Sequence, residues 1–475
     1  MSKNNYSYLA KNVGLLTLSN FATKILSFFL IPVYTSILTT AEYGTYDLVS
    51  TSVLLLTPIL TINIMEPVTR FSMEKDADQT GIFTIGMRYF FGSCALLGVF
   101  LVLNALFGIF PAVSKYAVFF FCLYAASTLS GIVSGFARGL DMVADVAVSG
   151  VITTFVTIAL NILCLVFLSM GLTGYFIANI AGFLLPSIYL LLRMKFWRYT
   201  TMGKIDPALH KDMIAYGRPM IATNIAWWIN SMADRYVIVL LRGVGENGIY
   251  SVASKIPMIM NIIQSIFNQA WTLSAVKEFD SEDKDGFFSD IYNKYSALMV
   301  IVCSALIVLD RPLAHFLYAK DFFAAWRYVP FLLISVVFGA MSGYLNGIFS
   351  ALKQVKILAS STCIGAAFNL ALNFLFVHYI GPVGAAIATA ASYVIVWVVR
   401  IVKVRQYMTL KINLKRDCVA YLILLIQTVL IIVFEKDSLL LYIVLSLGFI
   451  TAALLYFKDI ISLLKMILSR FIKKT

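Results

Sequence analysis

Charge is confined to short clusters in this chain, and that confinement limits its folding options more than any motif does. Segments 146–192 and 357–399 contain no Asp, Glu, Lys or Arg. A membrane-spanning helix needs about 20 predominantly apolar residues, so each of these two segments is long enough to cross a bilayer twice. Segments 89–114, 116–137, 256–276, 328–352 and 438–457 are equally free of charge. Of the 475 residues, 60% are hydrophobic and only 13% charged. An ordinary soluble domain carries about a quarter charged residues. Soluble enzymes, secreted domains and nucleic-acid binders are excluded on this ground. The chain reads as an all-α, polytopic membrane protein.

Dividing the apolar stretches at charge clusters and Gly/Pro breaks predicts 14 transmembrane helices. They fall near 12–38, 46–66, 83–108, 114–135, 146–168, 173–192, 219–241, 248–275, 294–310, 328–350, 357–378, 384–402, 418–434 and 439–457. An even count puts both termini on one side. The loops on that side then hold 28 of the 37 basic residues, among them Arg193, Lys195, Arg198, Lys294 and Arg400. The opposite loops hold six, and Lys24, Arg235 and Lys255 fall inside spans. By the positive-inside rule the richer side is cytoplasmic, so both termini are expected there. Most of the net charge of +13 is thus a topology signal, and no nucleic-acid partner is expected. Lys3 and Lys11 precede an apolar stretch with no small-residue cleavage site, so the first span is expected to be retained.

The external loops are short, the longest running over about 311–327, which leaves no room for a separate catalytic domain. Six cysteines lie singly, without metal or redox spacing, and read as small apolar residues. His210, His315 and His378 are scattered, so no metal site is expected. No GxxxxGK[ST] phosphate loop occurs. Any energy input is expected from H+ or Na+ coupling, membrane potential or consumption of the product.

The chain also resembles itself. Glu42-Tyr-Gly44-Thr-Tyr46-Asp-Leu-Val-Ser50 recurs as Glu246-Asn-Gly248-Ile-Tyr250-Ser-Val-Ala-Ser254. The same offset aligns Asn20 with Asn224 and Ser27 with Ser231. Ala159-Leu160-Asn161 matches Ala371-Leu372-Asn373, and Gly171-Leu-Thr-Gly174 matches Gly381-Pro-Val-Gly384. Matches in order, at the same span numbers, indicate duplication. Residues 1–200 (spans 1–6) and 201–408 (spans 7–12) are expected to form two parallel six-helix lobes with pseudo-two-fold symmetry. Residues 409–475 add spans 13–14 and a basic tail. Transporters built this way rock two lobes about a central cavity. Pro32, Pro58 and Pro257 interrupt spans where neighbours must accommodate a bend.

Charge inside hydrocarbon is costly unless it faces the bundle interior. Lys24 shares a helical stripe with Asn20 and Ser27. Span 7 carries Asn224, Trp228, Ser231 and Arg235, with Asn230 and Asp234 alongside; span 8 carries Ser254, Asn261, Gln264 and Asn268, flanked by Lys255. These stripes are the expected cavity wall. Because the three spanning cations occur in one copy only, they are candidates for recognising a diphosphate or acidic sugar through charge-assisted hydrogen bonds. The competing readings are an Arg235–Asp234 pair and outward snorkelling of Lys255. Glu66 is expected to pair with Arg70 at i,i+4. Alternatively, Glu66 or Asp234 carries a coupling proton or sodium ion.

Several of these segments resemble a known family: Asn12-Val-Gly14 through Asn20 and Pro32, Glu42-Tyr-Gly44-Thr-Tyr46, Glu66 through Arg70-Phe71, Tyr216-Gly217-Arg-Pro219 and Gly381-Pro-Val-Gly384-Ala-Ala-Ile-Ala388-Thr389. Together they are similar to the polysaccharide-repeat-unit flippases, within the superfamily that includes multidrug extruders and peptidoglycan-precursor flippases. The resemblance implies a monomeric bacterial inner-membrane protein, not an enzyme. It would move an undecaprenyl-diphosphate-linked oligosaccharide between leaflets for O-antigen, capsule or exopolysaccharide assembly, with membrane lipids and a polymerase as partners. An ion-coupled multidrug or metabolite extruder, a peptidoglycan-precursor flippase and a membrane polymerase or ligase are the alternatives.

Overall fold

A computed structural model describes residues 28–108, 114–201, 203, 205–277, 279–434 and 436–462. The described residues are almost entirely helical. The helices are α1 (Ile31–Ile37), α2 (Thr40–Leu60), α3 (Met65–Ser72), α4 (Gln79–Phe107), α5 (Ala117–Gly139), α6 (Val143–Asn161), α7 (Gly171–Met194), α8 (Pro207–Arg242), α9 (Val244–Ala253), α10 (Met258–Lys277), α11 (Phe287–Val308), α12 (Asp310–Leu317), α13 (Val329–Ala351), α14 (Val355–Ile380), α15 (Pro382–Val404), α16 (Leu414–Val433) and α17 (Leu439–Leu455). Among the described residues nine helices are long and apolar enough to cross a membrane, or ten if α2 and α3 form one broken span. The chain is a multi-pass membrane protein. The first expected span lies mostly outside the described residues, and Asn20, Lys24 and Ser27 lie wholly outside them.

The chain separates into two compact units with the divide after Trp228, inside the long helix α8. Asp206 accepts from Ala208 N at 2.9 Å ahead of Pro207, which starts α8. Pro at a first helical position loses no hydrogen bond. Span 7, expected over 219–241, is therefore longer at its start, and Pro219 does not end it.

In the first unit, α2 starts at a reciprocal cap. Thr39 N donates to the Glu42 carboxylate at 2.8 Å and Glu42 N donates to Thr39 Oγ1 at 3.2 Å. Span 2, expected over 46–66 with an interruption at Pro58, bends by 61° between α2 and α3. The cause is local. Pro58 disrupts the last turns of α2, and Ile62 and Asn63 adopt left-handed backbone, φ 52 and 55. Irregular backbone at membrane depth must be packed in protein or wetted by a cavity. Here Thr61, Asn63 and Ile64 are buried, and Gly217 of α8 leaves room for the break: a Cβ there would lie 2.9 Å from the Ile62 carbonyl oxygen. Beyond the break, α3 lies on α5 along Gly131, Gly135 and Gly139, whose missing side chains admit Met65, Thr69 and Ser72. This is the small-residue packing that lets membrane helices approach closely. Phe83, Tyr124, Phe136 and Phe176 fill the adjoining core.

In the second unit, α15 packs against α13 and α14, and α11 against α13. The paired additional helices, α16 and α17, lie on α11. There Gln427 receives a hydrogen bond from Ser304 Oγ (2.9 Å) and donates to Leu445 O (2.8 Å). The Asp283 carboxylate accepts from Phe288 N and Ser289 N, so α11 begins at Phe287 rather than at the expected 294. Lys294, expected in a loop, is consequently on this helix and pairs with Asp290 at 2.6 Å.

The internal repeat has structural counterparts within each unit. Glu42 and Glu246 both occupy the first turn of a helix. Gly171 and Gly381 both have positive φ, at 55 and 69. Asn161 and Asn373 are both buried, and each donates to a carbonyl four residues earlier. Gly174 and Gly384 both pack against the backbone of the preceding segment. The last α-helical turn of α6 passes into a π-helical stretch, Ile162–Phe167, whereas α14 runs on as regular helix.

Candidate functional site: a buried polar network and an exposed polar stripe

Three consecutive turns of α8 carry Asn224, Trp228, Ser231 and Arg235, as the 3–4-residue spacing requires. Their partners differ. In the first unit, Asn224 donates to Asn63 Oδ1 at 3.0 Å, fastening the broken span, and Trp228 Nε1 donates to Thr51 O at 2.9 Å. Trp227, next door, is 54% exposed. Glu66 is exposed on α3. Its expected pair with Arg70 does not form, because Arg70 bonds Glu74 at 3.0 Å, one turn further on. Pro67 lies between Glu66 and Arg70, and Glu74 lies just past the end of α3.

In the second unit Asp234 and Arg235 are both buried. Arg235 Nη1 donates to Asp234 Oδ1 at 3.3 Å and to Ser231 O at 3.2 Å; Arg235 N also reaches Oδ1, at 3.0 Å. The other carboxylate oxygen accepts from Tyr250 Oη of α9 at 2.5 Å. Three donors on one carboxylate offset much of the cost of burying an ion pair, whereas removal of one partner would leave an unpaired charge. A second hydrogen-bonded group joins α14 to α15 in the same unit. Asn369 donates to Thr389 Oγ1 at 3.3 Å, and Asn373 donates to Asn369 Oδ1 at 3.0 Å. Asn373 Oδ1, fully buried, accepts no hydrogen bond.

Lys255 is half-buried in the turn between α9 and α10, which holds Pro257, while Ser254 donates to Ser251 O at 2.6 Å. Along α10, Asn261, Gln269 and Thr272 are exposed, with Ser265 half-buried between them. Gln264 and Asn268, one position round the helix, instead face Gly339 and Gly343 of α13. A polar exposed face on an otherwise apolar helix has to meet water or polar cargo, since each unsatisfied polar group in hydrocarbon costs several kcal/mol.

The structure thus gathers Ser231, Asp234 and Arg235 into one network and leaves Asn261 exposed. Asn224 and Trp228 are engaged in the first unit. Tyr250, Asn369 and Thr389 were absent from the sequence-derived candidates. The available signals were the repeat match at Tyr250 and the i,i+4 asparagines at 369 and 373 in an uncharged span. Arg400, counted with the cytoplasmic-side cations at the end of the span expected over 384–402, is another such residue: it lies inside the second unit on α15 at 5% exposure.

A family model described as "Polysaccharide biosynthesis protein" matches residues 9–274, more than half of the chain. A "Putative O-antigen transporter" of Shigella flexneri is 26% identical over 186 residues, 38% of this chain and 43% of that protein. The "Probable low-salt glycan biosynthesis flippase Agl15" of Haloferax volcanii is 23% identical over 208 residues, 41% of this chain and 43% of that one. The matched part spans less than half the length of each of these curated relatives. Among solved structures, "Lipid II flippase MurJ, inward closed conformation" aligns with TM-score 0.70 at 15% identity, covering 94% of this chain and 99% of that one. An inward-facing multidrug resistance MATE family transporter aligns with TM-score 0.64 at 14% identity, covering 82% and 95%. The fold is therefore that of this group of transporters.

Proposed function

Since the chain belongs to the polysaccharide biosynthesis protein family, we propose that it is a flippase for a lipid-linked oligosaccharide. In this reading the cargo is an undecaprenyl-diphosphate-linked repeat unit, carried across the bacterial inner membrane by alternating access. Both termini are cytoplasmic, and a polymerase of the same pathway consumes the product. The observation that carries the reading is the exposed stripe Asn261–Ser265–Gln269–Thr272 on α10. Sugar hydroxyls and phosphates cannot enter hydrocarbon without losing their hydrogen bonds. A polar helix face replaces those bonds while the lipid tail stays in the bilayer.

Asp234 is the coupling group in this proposal. A proton or sodium ion taken up by its carboxylate competes with Arg235 and Tyr250 for the same oxygens, and so alters the contact between α8 and α9. A ligand shifts a conformational equilibrium only through such a difference in binding between states. Lys24, on the first span, is proposed to contact the anionic head group.

The test is genetic complementation of a strain lacking the gene. Asp234→Asn and Lys24→Ala are expected to abolish surface polysaccharide and to leave lipid-linked units on the cytoplasmic side. Normal display by correctly inserted Lys24→Ala protein would remove that lysine from the mechanism, and normal display by Asp234→Asn would remove coupling through that carboxylate. A polysaccharide-free phenotype without accumulation of lipid-linked units would overturn the flippase reading.

A further inference from the structure

Arg400 is a buried cation solvated only by neutral oxygens. Its Nε donates to Ser361 Oγ (2.9 Å), Nη1 to Ser342 O (3.0 Å) and Asn346 Oδ1 (2.7 Å), and Nη2 to Thr362 Oγ1 (3.0 Å). These acceptors come from α13 and α14, and no described carboxylate bonds to the guanidinium. The cage is itself braced: Ser361 and Thr362 each donate to Leu358 O, and Asn230 donates to Thr362 O at 3.1 Å. Guanidinium remains charged at any accessible pH, and a charge in a membrane-embedded unit needs compensation.

Donors are left over where the cage is least closed. A guanidinium has five N–H groups, and Arg400 uses four of them, which leaves one on Nη2. Asn346 accepts from Arg400 through Oδ1, so its amide Nδ2 is still available to donate, and Asn346 and Thr362 are only half-buried. Ser342 Oγ, on a residue 3% exposed, has no hydrogen-bond partner among the described residues. One guanidinium N–H, one amide and one hydroxyl on α13 and α15 form a donor set for a tetrahedral oxyanion, with the arginine contributing a single charge-assisted hydrogen bond.

We propose that Arg400, with Asn346 and Ser342, forms an anion site in the second unit that takes a phosphate-type group, the diphosphate of a polyprenyl lipid or free diphosphate. The inference deepens the flippase reading and rests on it for the lipid source of the anion. The anion supplies the negative charge that the protein does not. Binding also tightens the contact of α13 and α14 with α15, because all three helices hold the same guanidinium.

The experiment titrates the purified full-length protein in detergent with farnesyl diphosphate and, separately, with inorganic pyrophosphate, following ligand-dependent thermal stabilisation. Saturable stabilisation by farnesyl diphosphate is expected, with apparent affinity lowered on the order of tenfold by Ser342→Ala or Asn346→Ala, the loss of one charge-assisted or buried hydrogen bond. Arg400→Lys keeps the charge, loses the fork and is expected to weaken binding further. Stabilisation by pyrophosphate as well would mark the site as one for the diphosphate itself, and stabilisation by the lipid alone would assign it to lipid-linked cargo. Absence of binding to the wild-type protein, or equal binding by folded Ser342→Ala and Arg400→Lys variants, would overturn the site. Surface polysaccharide display is scored separately, so the flippase reading can survive that failure.

Discussion

Gly217→Ala tests whether the broken span is held by close backbone approach to α8. A methyl group at this position would lie 2.9 Å from the Ile62 carbonyl oxygen, 3.2 Å from Pro67 Cγ and 3.5 Å from the Asn63 carbonyl oxygen. Two of these three neighbours are backbone atoms, in a segment already carrying two left-handed residues, so they cannot rotate away. Overpacking of this kind costs about 1–3 kcal/mol. Within a helix, alanine offsets up to about 1 kcal/mol of that through its higher propensity than glycine. Contact this close with fixed backbone belongs in the upper part of that range, about 2–3 kcal/mol, so the net destabilisation is about 1–2 kcal/mol, a fall of roughly 2–8 °C in unfolding midpoint at about 2–4 °C per kcal/mol. Gly98→Ala is the control, because its methyl would meet only Phe121 Cε2, at 3.7 Å; an unchanged or raised midpoint is expected. Both variants are measured at one scan rate in one detergent. A Gly217→Ala midpoint equal to or above wild type would refute the claimed contact between α8 and the break.

Three further outcomes follow from the same geometry. Gly135→Leu is expected to push α3 off α5, because Thr69 Oγ1 occupies the space beside Gly135; faster hydrogen exchange across 65–72 would register it, and unchanged exchange would count against the small-residue seam. Arg311→Ala removes a fully buried guanidinium that stacks 4.1 Å over Trp326, bonds Asp437 at 2.9 Å and caps the Ile431 and Phe434 carbonyls. Asp437 is 45% exposed, so the cost is mainly that of the carbonyls left without their buried donor, about 1–3 kcal/mol, seen as a lower denaturation midpoint. Burial pushes the Asp437 carboxyl up, but hydrogen bonds from Arg311 and Tyr442 and the nearby positive charge hold it below the ordinary aspartate range. Its contribution to stability is therefore present above the unfolded aspartate pKa, about 4, and is lost as pH falls through the lower folded value. Asp437→Asn should flatten the acid limb of a stability-against-pH curve; an unchanged limb would show that another group controls it.

Much of the architecture was legible locally. The uncharged stretches at 146–192 and 357–399 each became a helical hairpin, α6–α7 and α14–α15, broken where Gly171 and Gly381 adopt positive φ. The candidate site was legible only in part. Spacing along α8 put Ser231 beside Arg235, and the adjacent Asp234 was visible as a partner, but periodicity could not show that Tyr250 completes the carboxylate's shell. Nor could it show that Trp228 is committed to Thr51 O, since that depends on a helix 177 residues earlier in the chain. On α10 periodicity placed Asn261, Gln264 and Asn268 together, but it could not show that Gln264 and Asn268 lie beside Gly339 and Gly343 of α13 while Asn261 is exposed. A helical wheel ranks positions by angle and cannot say which neighbour has no side chain.

What the sequence determined by itself is the class: helices that cross a membrane, a duplicated set of them, and a strong asymmetry of basic loops. Those properties follow from transfer of side chains out of water, which is summed residue by residue and needs no knowledge of neighbours. Tertiary structure decided which charges are enclosed by other helices and which pair locally. Arg400 and Lys294 look alike as loop cations, yet one is enclosed by Ser342, Asn346, Ser361 and Thr362 and the other pairs with Asp290 one turn away. The interaction of two charges falls with distance and with the local dielectric, and around Arg400 the compensating oxygens come from other helices, α13 and α14.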